Sequence, residues 1–277
     1  MTGAVLARGL RGRASVREAV PLLLAVLLVL TAIAYPLSAG SGRHAVSWTI
    51  VVLGSVLSVV HAAVSRGTRT GLGVLLVVAV TAVVFEAVGL ATGFPYGRYT
   101  YADTLGPTLL GVPFLVPLAW LMMAWPSWVL AERLAGPVRS GLRTPARVAA
   151  AAAIFAAWDV VLDPQMVQAG YWTWANPEPG LPGIGTVPLT NLGGWLLAGA
   201  VLMSLLDALV RRTSAPGSPR IGDAAPLLAL AWMTLGGALA HAGWLGLPGS
   251  AAWGAGLAVP VLVVLAVQQR RAGGDRR

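Results

Sequence analysis

Apolar residues run along this sequence in long blocks, without the alternation of strands or the one-sided spacing of surface helices. Eight blocks stand out, at roughly 20–38, 46–64, 72–91, 112–131, 147–163, 187–209, 225–244 and 251–268. Most approach the ~20 residues an α-helix needs to cross the hydrocarbon of a bilayer. Uniform apolarity over such lengths predicts helices and argues against a barrel, whose strands alternate. The fifth block is short and alanine-rich, and only residues 245–250 part the last two, so seven spans stay open beside eight. Ala32-Ile33-Ala34 resembles a signal-peptide cleavage site. The length of the first apolar run, with membrane helices following it, favours a retained span. The expected fold is an all-α polytopic membrane protein forming one domain over residues 1–277.

Composition agrees. Hydrophobic residues make up 57% of the chain and charged residues 10%, with a mean hydropathy of +0.76, whereas a water-soluble globule carries about 25% charged residues. The 19 basic residues are all arginine and leave a formal charge of +9. They fall in the gaps between apolar blocks instead of along one face, which excludes a nucleic-acid partner. The absence of cysteine excludes disulfides, Cys-ligated zinc and thiol catalysis.

The arginines also set an orientation. With eight spans, one side holds Arg8, Arg11, Arg13, Arg17, Arg66, Arg69, Arg133, Arg139, Arg143, Arg147, Arg211, Arg212, Arg220, Arg270, Arg271, Arg276 and Arg277. Arg43 and Arg98 alone fall on the other. By the positive-inside rule both termini are cytoplasmic, in a multi-pass protein of the cytoplasmic (inner) membrane. The tails, including Gly273-Gly274-Asp275-Arg276-Arg277, read as solvated ends.

Two of the outer loops carry an internal repeat. A shift of 73 residues lays Tyr99-Thr100-Tyr101-Ala102-Asp103 over Trp172-Thr173-Trp174-Ala175-Asn176, Gly97 over Gly170, and Phe85-Glu86 over Trp158-Asp159. With two more residues, Val112-Pro113 meets Val187-Pro188 and Trp120 meets Trp195. An interfacial aromatic belt would explain the tyrosines and tryptophans, but not the matched glycine, threonine and acids. Spans three–four and five–six, approximately 72–131 and 147–209, are therefore expected to be parallel repeats.

Acids inside a spanning helix are costly and are candidates for function. Glu86 lies six residues before Thr92, ~9 Å along a helix from the outer boundary. Asp159 should lie at matching depth, and Asp163 shares its face one turn farther out. Pro164 disfavours helix at the residue before it, which would end the span at Asp163. Asn191 opens span six on the same side, and His241 lies near the outer end of span seven. Bland readings compete: Asp163 pairing with Arg98, Arg98 pairing with Asp103, Asp207 pairing with Arg211 or Arg212, His44 in a loop, and His61 and His241 bonding between helices. Carboxyls crowded in a low-dielectric pocket cannot all stay ionised, so at least one keeps a proton it can donate. Aromatic faces beside it would stabilise a cation. An acid, an aromatic lining and an apolar approach together suit protonation of an alkene in a lipid-like substrate. The catalytic candidates are Glu86, Asp159 and Asp163.

At these residues the sequence resembles the integral-membrane carotenoid hydratases, of the γ-carotene 1'-hydratase and bisanhydrobacterioruberin hydratase type. The resemblance runs from about Phe85 to Trp195 and is carried by Phe85-Glu86, Gly93-Phe94-Pro95-Tyr96-Gly97-Arg98-Tyr99-Thr100-Tyr101, Leu105-Gly106-Pro107, Gly111-Val112-Pro113, Trp158-Asp159-Val160-Val161-Leu162-Asp163-Pro164-Gln165-Met166, Gly170-Tyr171-Trp172-Thr173-Trp174 and Pro188-Leu189-Thr190-Asn191-Leu192-Gly193-Gly194-Trp195. It implies addition of water across the terminal C1=C2 double bond of an acyclic carotenoid ψ-end, giving a tertiary alcohol. It also implies no redox cofactor, and the sequence carries no dinucleotide fingerprint and no obvious haem or metal-ligand spacing, so no metal is expected. Expected partners are the acyclic carotenoid, the lipid bilayer and neighbouring enzymes of carotenoid biosynthesis. Substrate contacts are expected from Tyr96, Arg98, Tyr99, Tyr101, Trp158, Tyr171, Trp172, Trp174, Asn191, Trp195 and His241.

Three other readings compete. Asp159 and Asp163 form an Asp-x3-Asp pattern, as in an intramembrane prenyltransferase. Such an enzyme needs a second acidic motif for magnesium diphosphate, and the position equivalent to Asp163 is Leu90. A transporter would use repeats and buried acids equally well, but the spans lack further polar groups to line an aqueous path. A non-catalytic carotenoid-binding scaffold is the third alternative.

Overall fold

A computed structural model of the protein describes residues 2–214 and 221–274, with side chains within 16–214 and 221–267. Arg220, Arg276 and Arg277 lie outside the described residues, as do the side chains of Arg8, Arg11, Arg13, Arg270 and Arg271.

The described chain is predominantly helical, and eight helices are long and apolar enough to cross a membrane. In chain order they are α1 (Thr2–Ala34), α2 (Gly40–Arg66), α3 (Thr68–Thr92), α4 (Leu115–Ala135), α5 (Ser140–Gln168), α6 (Leu189–Thr213), a seventh span at Ala224–Leu245, and α9 (Pro248–Gly274). The seventh span contains α7 (Ala224–Ala231) and the short α8 (Gly237–Ala240), separated and followed by the π-helical turns Trp232–Gly236 and His241–Leu245. Gly246 then takes a left-handed conformation (φ 66°), which turns the chain into α9 and makes the last two blocks separate spans.

Three boundaries differ from those read in the sequence. The fifth span runs from Ser140 to Gln168, and helix continues through Pro164. Proline removes one N–H from the ladder, but a helix packed among others tolerates this where neighbouring groups satisfy the freed carbonyl. His44 lies in the first turns of α2 instead of in a loop. The backbone of α1 is helical from Thr2, and that of α9 to Gly274, so helix reaches into both tails.

α4 is the hub, buried along most of its length against α2, α3 and α5. α6 closes a central quartet by packing on α5 and α3. The α5–α6 contact is close because Gly199 has no side chain: a Cβ there would lie 3.3 Å from the Ala152 backbone. α1 covers α2 and α7, while α9 lies against α5 and the seventh span. Leucines and valines on the outward faces of α1, α3 and α9 are exposed, as for a lipid-facing surface.

Charge is concentrated at one end of the bundle. Arg66 pairs with Glu132 at 2.5 Å, and Arg133 with Asp223 at 2.9 Å. Asp207 pairs with Arg211, one of the two expected partners, and also with Arg147. His61 Nδ1 accepts the Trp125 indole N–H at 3.0 Å, an ordinary interhelical contact.

At the opposite end lie two small antiparallel sheets. β1 (Tyr99–Tyr101) pairs with β4 (Trp172–Trp174), and β2 (Thr108–Leu109) with β3 (Val112–Pro113). In the first sheet Tyr99 faces Trp174, Thr100 faces Thr173, and Tyr101 faces Trp172. The all-α polytopic fold holds; the aromatic outer loops within it form short strands, and these tie the ends of α3 and α5 together.

Candidate active site

The aromatic strands alternate as strands must. Tyr99 and Tyr101 turn inward, while Thr100 points out and hydrogen-bonds Thr173 at 3.2 Å. Tyr99 then donates to Glu86 Oε2 at 2.5 Å, and Tyr101 donates to the same oxygen at 2.7 Å. Together the two phenols hold a carboxyl that is only 4% exposed. Burial pushes the Tyr99 and Tyr101 phenols well above their ordinary range, and the adjacent Glu86 carboxyl adds to it. Both phenols therefore stay neutral O–H donors.

The second cluster faces this one. Asp159 and Asp163 lie one turn apart on α5, and the Asn191 amide at the start of α6 donates to both: to Asp159 Oδ2 at 2.8 Å and to Asp163 Oδ2. Asp163 Oδ1 accepts the Trp172 indole N–H at 2.9 Å. Among the described residues Asp159 Oδ1 is buried with no hydrogen-bond partner.

Both clusters open onto a cavity of about 270 Å³. Of the residues expected from the sequence, Glu86, Asp159, Asp163, Tyr96, Tyr99, Tyr101, Trp158, Tyr171, Trp172, Trp174, Asn191 and Trp195 all line it. Around the acids the rings pack edge to face or tilted: Tyr99 on Trp174 at 4.9 Å between centroids, Tyr101 on Trp172 at 5.8 Å, and Trp158 on Trp195 at 5.9 Å. The cavity reaches the surface between the end of the first span and the seventh span, where the lining residues Ile33, Leu37, Leu239 and Trp244 are exposed. This mouth is apolar and opens sideways, toward where lipid would lie.

Two expected contacts do not line the cavity. Arg98 is exposed and, among the described residues, forms no ion pair with Asp163 or Asp103. It directly precedes β1, where Ala175 N–H still donates to its carbonyl at 2.9 Å, so the alternation that aims Tyr99 inward aims Arg98 outward. Asp163 instead takes its neutral partners, Trp172 and Asn191. His241 is fully buried but stands behind the wall. Its Nε2 hydrogen-bonds Gln165 Oε1 at 2.8 Å and its Nδ1 meets Ser250 Oγ at 2.5 Å.

Gln165, which His241 holds, does line the cavity, as do Tyr35, Ser47 and Trp120. The sequence reading missed these as site residues. Among the described residues the Tyr96 hydroxyl and the Trp174 indole N–H are buried without a hydrogen-bond partner. Gln165 had a local signal, two residues past Asp163 within the Asp-Pro-Gln run. Tyr35 had none, because only packing brings the end of α1 over α5.

A sequence model of the carotenoid biosynthesis protein family matches residues 46–265. The chain belongs to this family. Among curated relatives, a bisanhydrobacterioruberin hydratase from Haloarcula japonica is 37% identical over 123 residues, covering 44% of this chain and 40% of the relative. The match thus spans about two fifths of that protein's length. No solved structure matches this family member.

Proposed function

We propose that this member of the carotenoid biosynthesis family is a hydratase. It adds water across the terminal C1=C2 double bond of an acyclic carotenoid ψ-end to give a tertiary alcohol. The observation that carries this reading is the convergence of three buried carboxyls on one apolar, aromatic-walled cavity with a lateral mouth. The hydratase relative supports the same class of reaction. At about 270 Å³, the cavity is near the lower end of small-molecule sites (~300–1,000 Å³). It suits one end of a polyene whose remainder stays in lipid.

The roles follow from the hydrogen bonds. Two neighbouring carboxyls that share one amide donor carry a single negative charge between them, as in other paired-carboxyl sites. Asp163 has both oxygens bonded by N–H groups and bears the charge. Asp159 keeps the proton on Oδ1, the oxygen without a partner, and donates it to C2, the less substituted alkene carbon. The C1–C2 π electrons form the new C2–H bond and leave a tertiary cation at C1. Glu86, ionised and clamped by Tyr99 and Tyr101, stabilises that cation from across the cavity, together with the faces of Trp158 and Trp174. Water attacks C1 and loses a proton to Asp163, which returns it to Asp159 beside it. General acid–base work of this kind contributes about 10²–10⁴-fold.

The arginine bias supports both termini on the cytoplasmic side of the inner membrane, with the cavity toward the outer face. Expression in cells that accumulate an acyclic ψ-end carotenoid tests the reading by pigment mass. The expected result is a product heavier by one water, lost with Asp159→Asn. Stable membrane expression with no such product from any ψ-end pigment would remove the hydratase reading in favour of transport or scaffolding.

A further inference from the structure

Behind the aspartate pair lies a second, separate cavity of about 20 Å³. Its floor is Asp159, Asp163 and Asn191, the same side chains that wall the large cavity from the other side. Its roof comes from the segment at 178–188. That segment is a compact cap. Gly180 bridges to Pro188, Ile184 N–H donates to Leu181 O at 2.8 Å, and Leu189 N–H donates to Pro179 O at 2.8 Å. Trp253 on α9 pins it by donating its indole N–H to Pro182 O at 3.0 Å. Ile184 and Val187 are buried with Val160 in a small apolar cluster of their own, apart from the main core. Gly183 and Gly185 on either side of Ile184 are exposed.

A void of this size holds roughly one water molecule, provided polar partners are present. Here they are: two carboxyls and a carboxamide. An apolar chamber would stay dry, and this floor is polar. Hydration also consumes one water per turnover, at a site whose large cavity is filled by hydrocarbon whenever substrate is bound. Water therefore needs a route that does not pass the lipid-facing mouth.

Resting on the hydratase reading, we propose that the small cavity is the water site of the reaction, filled through the 178–188 cap and delivering its water past the Asp159–Asp163–Asn191 wall to the cation at C1. Carotenoid and water then reach the carboxyl pair from opposite sides. In the chamber the water donates a hydrogen bond to Asp163, the group that takes its proton when the O–C1 bond forms.

The test separates protonation from water capture. Purified full-length protein in D₂O is given a ψ-end carotenoid, and both product and recovered substrate are analysed by mass. In Ile184→Phe the added ring fills the chamber. Asp159 still deuterates C2, but the cation, lacking water, returns a proton to Asp159. The expected result is hydration down at least about tenfold, carotenoid KM unchanged, and deuterium appearing in recovered, unhydrated substrate. Val187→Leu, a smaller change under the same roof, should give a graded version and serves if the larger ring prevents folding, judged by pigment retained on the purified protein. Wild-type hydration in a folded variant, or joint loss of hydration and deuterium exchange with pigment retained, overturns the water site. A wild-type protein that neither hydrates nor exchanges overturns the hydratase reading itself, and the water site with it.

Discussion

Glu86 and Asp159 stand at matching places in two stretches of similar order, an intramembrane acid followed by an aromatic-Thr-aromatic strand, but their surroundings differ. Glu86 is a single carboxyl gripped on one oxygen by two phenols from its own strand. Asp159 has a second carboxyl one turn away and shares an amide with it, and its strand contributes an indole N–H to that second acid. The position matching Asp163 is Leu90, a partly buried residue that packs against the core. In the proposed mechanism one stretch holds a charge in place, while the other holds a pair able to pass a proton.

The contacts between the stretches are of like with like. Thr100 bonds Thr173 at the centre of the antiparallel pair. Trp120 packs on Trp195 at 4.9 Å between centroids. Phe85 packs on Trp120 as Trp158 packs on Trp195. We propose that these are two repeat units, approximately 72–131 and 147–209, related by a two-fold axis along the membrane normal. Antiparallel pairing of equivalent strands about their central residues is the register such an axis produces.

The contrast breaks most visibly at Glu86. Glu86→Gln keeps the side-chain shape and removes the charge facing C1, and hydration should fall about 10²–10³-fold, the scale of losing an electrostatic stabiliser of a developing charge. Deuterium exchange into recovered substrate should fall in parallel, because the cation itself becomes harder to form. Asp163→Asn should behave oppositely, losing hydration while exchange persists. If both variants gave the same pattern, the division of labour between the two stretches would be wrong.

A smaller effect is expected from the donors that orient the acids. Tyr101→Phe and Trp172→Phe each remove one hydrogen bond to a carboxyl, a change of about 1.5–3 kcal/mol that reads as roughly ten- to a hundred-fold in kcat. Tyr99→Phe combined with Tyr101→Phe should cost less than the product of the single effects, since both phenols serve one oxygen. Full additivity measured in that double-mutant cycle would mean the phenols act on separate groups.

Much of this was legible in the sequence because it rested on periodicities. Long apolar blocks gave the spans, and the matched offset put the acids at like depth beside the aromatic outer loops. Three things were not. The strand alternation that turns Arg98 outward depends on pairing with Trp172–Trp174, which no local pattern encodes. The placing of Tyr35 over Gln165 depends on how α1 packs across the bundle. His241 showed as a polar residue near the site, but its place behind Gln165 follows from the π-helical turns and from Ser250 on the next helix. Such features come from tertiary packing, which overrides what a window of neighbours can report.

The smallest effect concerns the seam between the two stretches. Thr100→Val and Thr173→Val each remove an exposed cross-strand hydroxyl contact, and pairs of this kind contribute about 0.2–1 kcal/mol. Neither threonine faces the cavity, so kcat should stay near wild type while the melting temperature drops slightly. The informative variant is the double. If the strands meet about an axis through these residues, the two losses are one and the same contact, and the double variant should be no less stable than either single one. Additive destabilisation would mean that each hydroxyl has its own partner, and the strand register inferred for the two-fold would have to be abandoned.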